Sequence, residues 1–276
     1  MHHVVADAIR VGPVERTGSP EIAARTLSAV SPFVALSRTV GTAATIYANF
    51  STGFRVPTLN QLFDARPIYN PFIDDVIFIS NADLAPQRSR GFEVGARCDR
   101  RDGSWASLSA YTVRVRDEID FDLATFSYAN LGRSRHEGVQ LAVWQTLGSA
   151  LALSANGAWM PTTIVGGEND GNQINAVPEG TAYGAVVWTP DARGSVEAGV
   201  RYAGRQFLDK ANEHALADFA TAEVSASVLL ARVRSTVRVA NLLDREYEDS
   251  GFLGALGEER FLPASGRTFS LALTFD

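Results

Sequence analysis

Apolar and polar residues alternate along most of this chain, and the pattern is clearest in the second half. From Ser195, apolar residues occupy every second position, while small or polar residues fill the positions between them. The same period of two recurs from Phe219, from Val233 and from Thr268. Because successive side chains of a β-strand point to opposite faces, this pattern predicts strands with one apolar and one polar face.

The alternation divides the chain into about twelve strands, and no segment shows a convincing helical period. The predicted strands begin near residues 3, 32, 43, 89, 104, 126, 150, 181, 195, 218, 232 and 266. Most are close to the roughly 9 to 11 residues that a tilted strand needs to cross a membrane. The predicted fold is therefore all-β and antiparallel.

The connections between these strands alternate between short and long. Short turns are predicted near residues 38–42, 99–103, 147–150, 189–194 and 230–232. Long connections are predicted near residues 53–89, 116–125, 161–180, 203–218 and 244–265. Short turns on one rim and long loops on the other are typical of outer-membrane β-barrels, with the short side periplasmic. A soluble sandwich or lipocalin-like barrel has no reason to sort its loops this way.

Composition agrees with a folded membrane barrel and excludes several other classes of protein. Hydrophobic residues make up 46% and charged residues 20% of the 276 residues, which argues against disorder. A net charge of -6 argues against nucleic acid as a partner. No window is long and apolar enough for a membrane-spanning helix, but alternating strands explain a mean hydropathy of -0.02. The first residues lack the basic and apolar regions of a secretory signal.

Residues that usually carry enzyme chemistry are few and badly spaced. His2, His3, His136 and His214 match no metal-binding or catalytic spacing, and no nucleophile elbow or phosphate-binding glycine loop is present. Cys98 is alone, so it forms no intramolecular disulfide and reads as a small strand residue. We expect no enzyme activity, no cofactor and no metal site.

Two acidic segments are the only candidates for a divalent cation. One contains Asp117, Glu118, Asp120 and Asp122, and the other is the loop at residues 166–172. Neither matches an ordered calcium-loop pattern. Solvated loop charge is the preferred interpretation of both.

Polar-face residues are the best candidates for a ligand path, because the face opposite the lipid lines the lumen of a barrel. The six candidates are Tyr47, Asn49, Arg97, Arg201, Arg234 and Arg238. Their arginines would suit an anionic ligand, or they pair structurally with glutamates of the same face, Glu93, Glu197 and Glu223. On the apolar face, Tyr202 and Phe275 are candidates for an interfacial aromatic girdle.

Several strings resemble the C-terminal half of TonB-dependent receptors, the ligand-gated outer-membrane transporters for iron siderophores, cobalamin and some sugars. They occur in the family's order as NFSTGFRVPTLNQLF (49–63), NADLAPQRSRGFEVGAR (81–97), YANLG (128–132), EGVQL (137–141), VANLLDREYEDSG (239–251) and PASGRTFSLALTF (263–275). A structural role is the preferred interpretation of these motifs, because Pro57, Asn241 and Asp244 suit strand ends. They identify the family without marking ligand contacts.

The resemblance implies the C-terminal part of a 22-stranded barrel. About twelve strands are visible in the sequence, and neither a plug domain nor an energy-coupling segment is visible. Residues 1–30 would form an N-terminal strand and loop, and residues 31–276 the barrel segment. One departure is that Phe275 is followed by Asp276, whereas strands closing barrels of this family usually end on an aromatic residue.

The implied function is uptake of a scarce nutrient, with a ferric siderophore as the first candidate ligand. The implied partners are outer-membrane lipid, a small molecule such as a metal chelate and, for the intact receptor only, an energy-transducing inner-membrane complex. This chain alone is not expected to perform active transport. The alternative is a self-contained small barrel acting as a passive pore or surface-binding module, and a soluble β enzyme ranks third.

Overall fold

The computed structural model describes residues 30–64, 68–70, 75–122, 127–130, 132–253 and 257–275. The first half of this part contains β1 (Phe33–Val40), β2 (Ala44–Arg55), α1 (Leu59–Phe63), β3 (Ile68–Asn70), β4 (Asp75–Ile77), β5 (Gln87–Asp99), β6 (Trp105–Arg116), β7 (Ile119–Asp122), β8 (Ser127–Asn130), β9 (Arg133–Leu147) and β10 (Leu151–Trp159). The second half contains β11 (Thr162–Val165), β12 (Gly180–Asp191), β13 (Gly194–Ala203), β14 (Gln206–Phe207), β15 (Ala215–Leu216), β16 (Phe219–Leu230), β17 (Val233–Ala240), β18 (Glu248–Leu253), β19 (Glu259–Pro263) and β20 (Thr268–Phe275).

One antiparallel sheet of 12 strands dominates the structure, as the alternation predicts. Its strands lie side by side in chain order, β1-β2-β5-β6-β9-β10-β12-β13-β16-β17-β20, and we call these the wall strands. The short β11 continues the pairing of β10 along β9. The all-β, antiparallel fold with about twelve strands is confirmed. In the described residues no helix is both long and apolar enough to cross a membrane.

Predicted and observed wall strands begin within one or two residues of each other, with one exception. The strand predicted near residue 126 is wrong, because β9 begins at Arg133 and residues 127–130 form β8 of a separate loop hairpin. Gly132, at φ +70°, breaks the extended chain between the two. The strand predicted near residue 3, and residues 1–29 of the predicted N-terminal unit, lie outside the described residues.

The alternation of short and long connections is present in the structure. Gly41 and Gly148 adopt φ values of +64° and +81° in two of the short turns, a conformation that favours glycine. The long connections carry four small hairpins, β3–β4, β7–β8, β14–β15 and β18–β19, which the sequence did not predict. All of the long connections leave the same edge of the sheet, since neighbouring wall strands are antiparallel.

The expectation that the chain has no helix is wrong for one short segment. Thr58 accepts a hydrogen bond from the Gln61 backbone N–H, and the Gln61 side chain accepts one from the Thr58 N–H. This reciprocal capping satisfies two of the N–H groups that a helix start leaves open. It explains how five residues, Leu59–Phe63, form a helix within a β protein.

A small apolar core lies among the long connections rather than within the sheet. Leu62 of α1, Leu84 and Ile119 are buried together, and Phe63 and Tyr128 pack against them. Leu84 is completely buried. This cluster ties the first long connection to the β7–β8 hairpin.

Asparagine side chains join the same loops by hydrogen bonds to backbone atoms. Asn130 accepts from the Ala85 N–H at 2.7 Å and donates to the Ala85 carbonyl at 3.0 Å. Asn81 donates to the Tyr128 carbonyl at 3.0 Å. The segments 81–97 and 128–132 therefore contain residues that fix each other, which supports a structural role for these two motifs.

The last two wall strands are joined in the same way. Asn241, with φ +49°, accepts from the Arg245 N–H at 2.9 Å and donates to the Arg245 carbonyl at 2.8 Å. Asp244 accepts from the Arg267 N–H at 2.7 Å, across the long connection. These side chains end β17 and anchor the start of β20, as expected for polar residues at strand ends.

The two faces of the sheet differ as the alternation predicts. On the apolar face, Leu108, Leu141, Val200 and Leu271 expose about half or more of their surface, with values of 53%, 47%, 53% and 65%. Soluble proteins bury such side chains, whereas a membrane barrel turns them towards lipid. Cys98 lies on this face, paired in register with Ala44.

Within the described residues, β1 and β20 are the two unpaired edges of the sheet. The wall contains an odd number of strands in an antiparallel order, so β1 and β20 run in the same direction. Pairing them directly would create a parallel junction. An all-antiparallel closed barrel contains an even number of strands, so closure requires at least one strand from outside the described residues.

Tyrosine rings occupy the space above glycines at three places on the polar face. Tyr47 covers Gly95, and Tyr111 covers Gly138 on the neighbouring strand. Likewise, a Cβ atom added at Gly199 would overlap the Tyr183 ring and hydroxyl. Each glycine therefore makes room for a ring that would otherwise project away from the wall.

We expect Gly199→Ala to destabilise the sheet by about 1–3 kcal/mol, because the added methyl displaces a hydrogen-bonded Tyr183 ring. Gly184→Ala is the matched control, since no atom lies within 4 Å of its added Cβ. The measurement is urea unfolding of both variants in lipid vesicles. Equal free energies of unfolding would contradict the packing described for Tyr183.

We also expect Ala226→Arg to destabilise the sheet more than Ser227→Arg, because the two neighbours lie on opposite faces of β16. Ala226 is near the middle of the strand, where an arginine facing lipid costs about 2–4 kcal/mol. Folding yield into vesicles and heat-modifiable mobility report the difference. Similar losses for both variants would show that the faces are wrongly assigned.

Candidate functional site

A large concave surface on the polar face lies over β12, β13, β16 and β17. It has a volume of about 920 Å³ and extends to the end of the sheet that carries the long connections. Tyr247, Asp249 and Ser265, from the β17–β20 connection, line that end. We call this space the wall cavity.

A linked group of charged and phenolic side chains forms the floor of the wall cavity. The Tyr183 hydroxyl lies 2.5 Å from Glu197 Oε1 and 3.1 Å from Glu223 Oε1, so that it bridges two carboxylates. Arg238 Nη2 donates to Glu223 Oε2 at 2.5 Å. Arg238 therefore has the structural pairing with a glutamate that the sequence left open as its alternative role.

Arg201 differs from Arg238 because it has no ion pair among the described residues. It is exposed and lines the wall cavity. Its register partner on β16 is Thr221, which lines the same space. Its guanidinium group lies within electrostatic range of Glu223, but no hydrogen bond or ion pair among the described residues occupies its five N–H donors.

Tyr47 and Asn49 belong to a separate place on the polar face. The Tyr47 hydroxyl donates to Glu93 Oε1 at 2.8 Å, and Asn49 Nδ2 donates to Glu93 Oε2 at 3.2 Å. Tyr47 and Glu93 line a smaller cavity of about 360 Å³, together with Ser109 and Gln140. Both side chains are uncharged and are hydrogen-bonded to Glu93, so neither offers a positive charge to an anionic ligand.

The remaining two candidates lie outside both cavities. Arg97 forms an ion pair with Asp99 at 2.8 Å, and its guanidinium stacks 4.4 Å from the Trp105 ring. Arg234 lies close to the short-turn end and pairs in register with Leu229 and Thr274. The structure thus brings Arg201 and Arg238 together and leaves the other four candidates elsewhere.

Tyr183 is the member of the wall cavity that sequence reasoning missed. Both faces of β12 are rich in small and apolar residues, so the alternation of apolar and polar positions did not identify Tyr183 as a polar-face residue. Gly199 on the next strand was the available signal, because a glycine within a strand often marks a close approach.

A second cavity that the sequence did not predict lies among the long connections. It has a volume of about 690 Å³ and is lined by both acidic segments, by Arg133 and by Lys210. Lys210 pairs with Asp120 at 3.1 Å, and Ser134 donates to Glu118 at 2.5 Å. We call this space the loop cavity.

Neither acidic segment assembles a metal site in the described part of the chain. There, no group of three or more His, Cys, Asp and Glu side chains could hold a metal ion. In the loop at 166–172, Asp170 accepts a hydrogen bond from the Gly166 N–H at 2.6 Å. The Asp122 side chain lies outside the described residues.

One ion pair connects two long connections above the wall. His214 Nδ1 lies 2.8 Å from Glu259 Oε1 of β19. The hydrogen bond to Glu259 raises the pKa of His214, and Asp209 and Glu213 raise it further. The attraction is therefore present at low pH and is lost as pH rises through the raised pKa.

A comparison with protein-family models identifies the family of this chain. The model of the TonB dependent receptor-like β-barrel matches residues 6–242, which is most of the chain. The chain belongs to the TonB-dependent receptor family. Barrels of this family are outer-membrane proteins that act as receptors and transporters rather than as enzymes.

Solved structures of TonB-dependent receptors share the fold of this receptor chain. The siderophore receptor PiuA from Acinetobacter baumannii is 20% identical with a TM-score of 0.67, over 94% of this chain and 38% of its own. The ferric yersiniabactin uptake receptor FyuA from Yersinia pestis is 19% identical with a TM-score of 0.70, over 90% and 37%. The ferric enterobactin receptor PfeA of Pseudomonas aeruginosa, solved in complex with BCV-L6, is 20% identical with a TM-score of 0.72, over 90% and 40%. The chain spans about two fifths of the length of these receptors.

We expect His214→Gln to remove a pH dependence from the two connections that His214 and Glu259 join. After division by the intrinsic, base-catalysed exchange rate, the protection of amides at residues 206–216 and 259–263 should be higher at pH 6 than at pH 9 in the unchanged protein, and equal at the two pH values in the variant. Glu246→Gln is the control, because its side chain is exposed and is not among the groups that shift the pKa of His214. If amide protection still depends on pH in His214→Gln, the His214–Glu259 pair is not the source of that dependence.

Proposed function

We propose that this chain is part of an outer-membrane receptor for uptake of a scarce nutrient, and that its ligand is an anionic metal chelate such as a ferric siderophore. The observation that carries the proposal is Arg201, which is exposed and without an ion pair among the described residues, in a cavity of about 920 Å³. An exposed guanidinium in a concave polar site attracts anionic oxygen ligands. The siderophore receptors that share the fold support the choice of ligand class.

The remaining partners in the proposal follow from the family and from the two faces. The apolar face contacts outer-membrane lipid, and the polar face lines the path of the ligand. Tyr47, Asn49, Arg97, Arg234 and Arg238 belong to the same path, although only Arg201 presents an unpaired charge inside the wall cavity. Energy from an inner-membrane complex belongs to the proposal for the intact receptor.

The rival function, a passive pore or surface-binding module formed by this chain alone, is less well supported. The described wall strands end on two edges that run in the same direction, so they do not close into an all-antiparallel barrel by themselves. Steady conductance by the isolated chain in planar bilayers would favour the rival. Aggregation, or the absence of a heat-modifiable form, would agree with a part of a larger barrel.

We expect Arg201→Gln to weaken binding of the anionic ligand about tenfold or more, because hydrogen bonds to charged groups contribute roughly 1.5–3 kcal/mol. Arg193→Gln is the control, because it removes the same charge from an exposed short turn at the opposite end. Binding of ferric enterobactin and ferric yersiniabactin is measured by fluorescence quenching in detergent. If both variants bind these chelates as the unchanged protein does, Arg201 is not a ligand contact.

A further inference from the structure

Six arginines form a compact group on the apolar face, where β5, β6 and β9 approach the long connections. The register places them in two rows of three across these strands, Arg88, Arg116 and Arg133 in one row and Arg90, Arg114 and Arg135 in the next. All six side chains are exposed. We call this group the arginine patch.

The arginine patch places like charges directly opposite each other. Arg88 faces Arg116, and Arg90 faces Arg114, as Cα partners on neighbouring strands. Such pairs are destabilising in a sheet. Arg135 pairs with Glu137 at 3.4 Å, but the other five have no ion pair within the described residues. Arg133 also lines the loop cavity, where Glu118 and Glu168 lie near it. For the other four arginines, the described residues supply no paired negative charge.

The apolar residues below the patch fix its depth. The next row towards the middle of the sheet contains Phe50 on β2 and Phe92 on β5, which expose 42% and 48% of their surface, followed by Thr112 on β6 and Glu137 on β9. One row further lie Val94, Val139 and the exposed Trp159. Exposed aromatic residues at the end of an apolar band mark the membrane interface. The patch therefore begins about 7 Å along the strands beyond that interface, at the level of lipid headgroups.

The patch is local rather than a ring around the wall. On the neighbouring strands β12, β13 and β16, Ala182, Tyr202 and Ala220 are uncharged. Just beyond them Arg205 pairs with Glu179 at 2.6 Å, so the described residues there form no second group of unpaired arginines. A general attraction to a charged surface would not require such concentration on three adjacent strands. The geometry favours a headgroup that carries more than one phosphate at a fixed place.

We propose that the arginine patch binds the phosphate groups of an anionic lipid in the outer leaflet of the membrane. Three strands spaced about 4.8 Å apart and two rows give a surface of about 10 by 7 Å, enough for two phosphates that each meet several guanidinium groups. Arginine binds phosphate oxygens through two parallel N–H donors. The inference rests on the outer-membrane location in the proposed function, and it does not depend on the wall cavity or its ligand.

The test uses the protein purified from outer membranes in mild detergent. The combined substitution Arg88→Gln, Arg90→Gln, Arg114→Gln and Arg116→Gln removes the centre of the patch. The control carries Arg100→Gln, Arg101→Gln, Arg193→Gln and Arg232→Gln, which remove the same charge from exposed turns at the opposite end. Both are checked for heat-modifiable mobility before any lipid is added.

The probes are lipopolysaccharide, its enzymatically dephosphorylated form and inorganic phosphate. We expect the patch variant to bind lipopolysaccharide at least tenfold more weakly than the control. The unchanged protein should bind the dephosphorylated form at least tenfold more weakly than the phosphorylated form, and added salt should weaken binding of the latter. If the patch variant does not fold, Arg90→Gln with Arg114→Gln is measured instead, with an expected loss of at least threefold.

Three results would overturn the proposal. One is unchanged lipopolysaccharide binding by the patch variant, and another is equal binding of the dephosphorylated form. The third is arginine-dependent binding of inorganic phosphate as tight as that of the lipid, which would assign the patch to a soluble anion. Loss of ferric enterobactin binding in an Arg201 variant that keeps lipid binding would concern the wall cavity alone.

Discussion

The structure depends on one constraint, which is that backbone N–H and C=O groups must pair between strands wherever water is absent. Unpaired backbone groups cost several kcal/mol each in hydrocarbon, so a wall strand needs a neighbour on both sides. The wall strands satisfy this requirement in simple chain order. In the described part of the chain, the pairing stops at β1 and β20. These two edges determine how the described sheet can close into a barrel.

Since the backbone holds the wall together, the side chains are free to specialise by face and by depth. The polar face carries rings packed over glycines, with carboxylates and guanidinium groups linked above them. This arrangement keeps bulky side chains close to the wall and leaves the wall cavity open. The apolar face changes from aliphatic to aromatic to arginine residues along β5, which follows the change from hydrocarbon to headgroup.

The long connections are held by polar side chains and a very small core. Asn81 and Asn130 make hydrogen bonds to backbone atoms of another long connection, whereas Asn241 makes them within its own connection. Leu84 is the buried centre of the only apolar cluster in the described residues. These residues carry the recognisable motifs of the family. Their conformational role explains why such motifs identify a receptor without reporting its ligand.

The sequence alone determined the strands, their faces and the sorting of the connections, because period two and turn residues are local properties of the chain. It misplaced the start of β9 and missed α1, where one glycine and one capping pair decide the local structure. It also assigned Arg201 and Arg238 to the correct face without showing that one is paired and the other open. Only the tertiary structure decided this, because the residue opposite each side chain depends on the register between strands. Register brings Tyr183 next to Glu223 across 40 residues of chain, and it places six arginines from three strands in one patch.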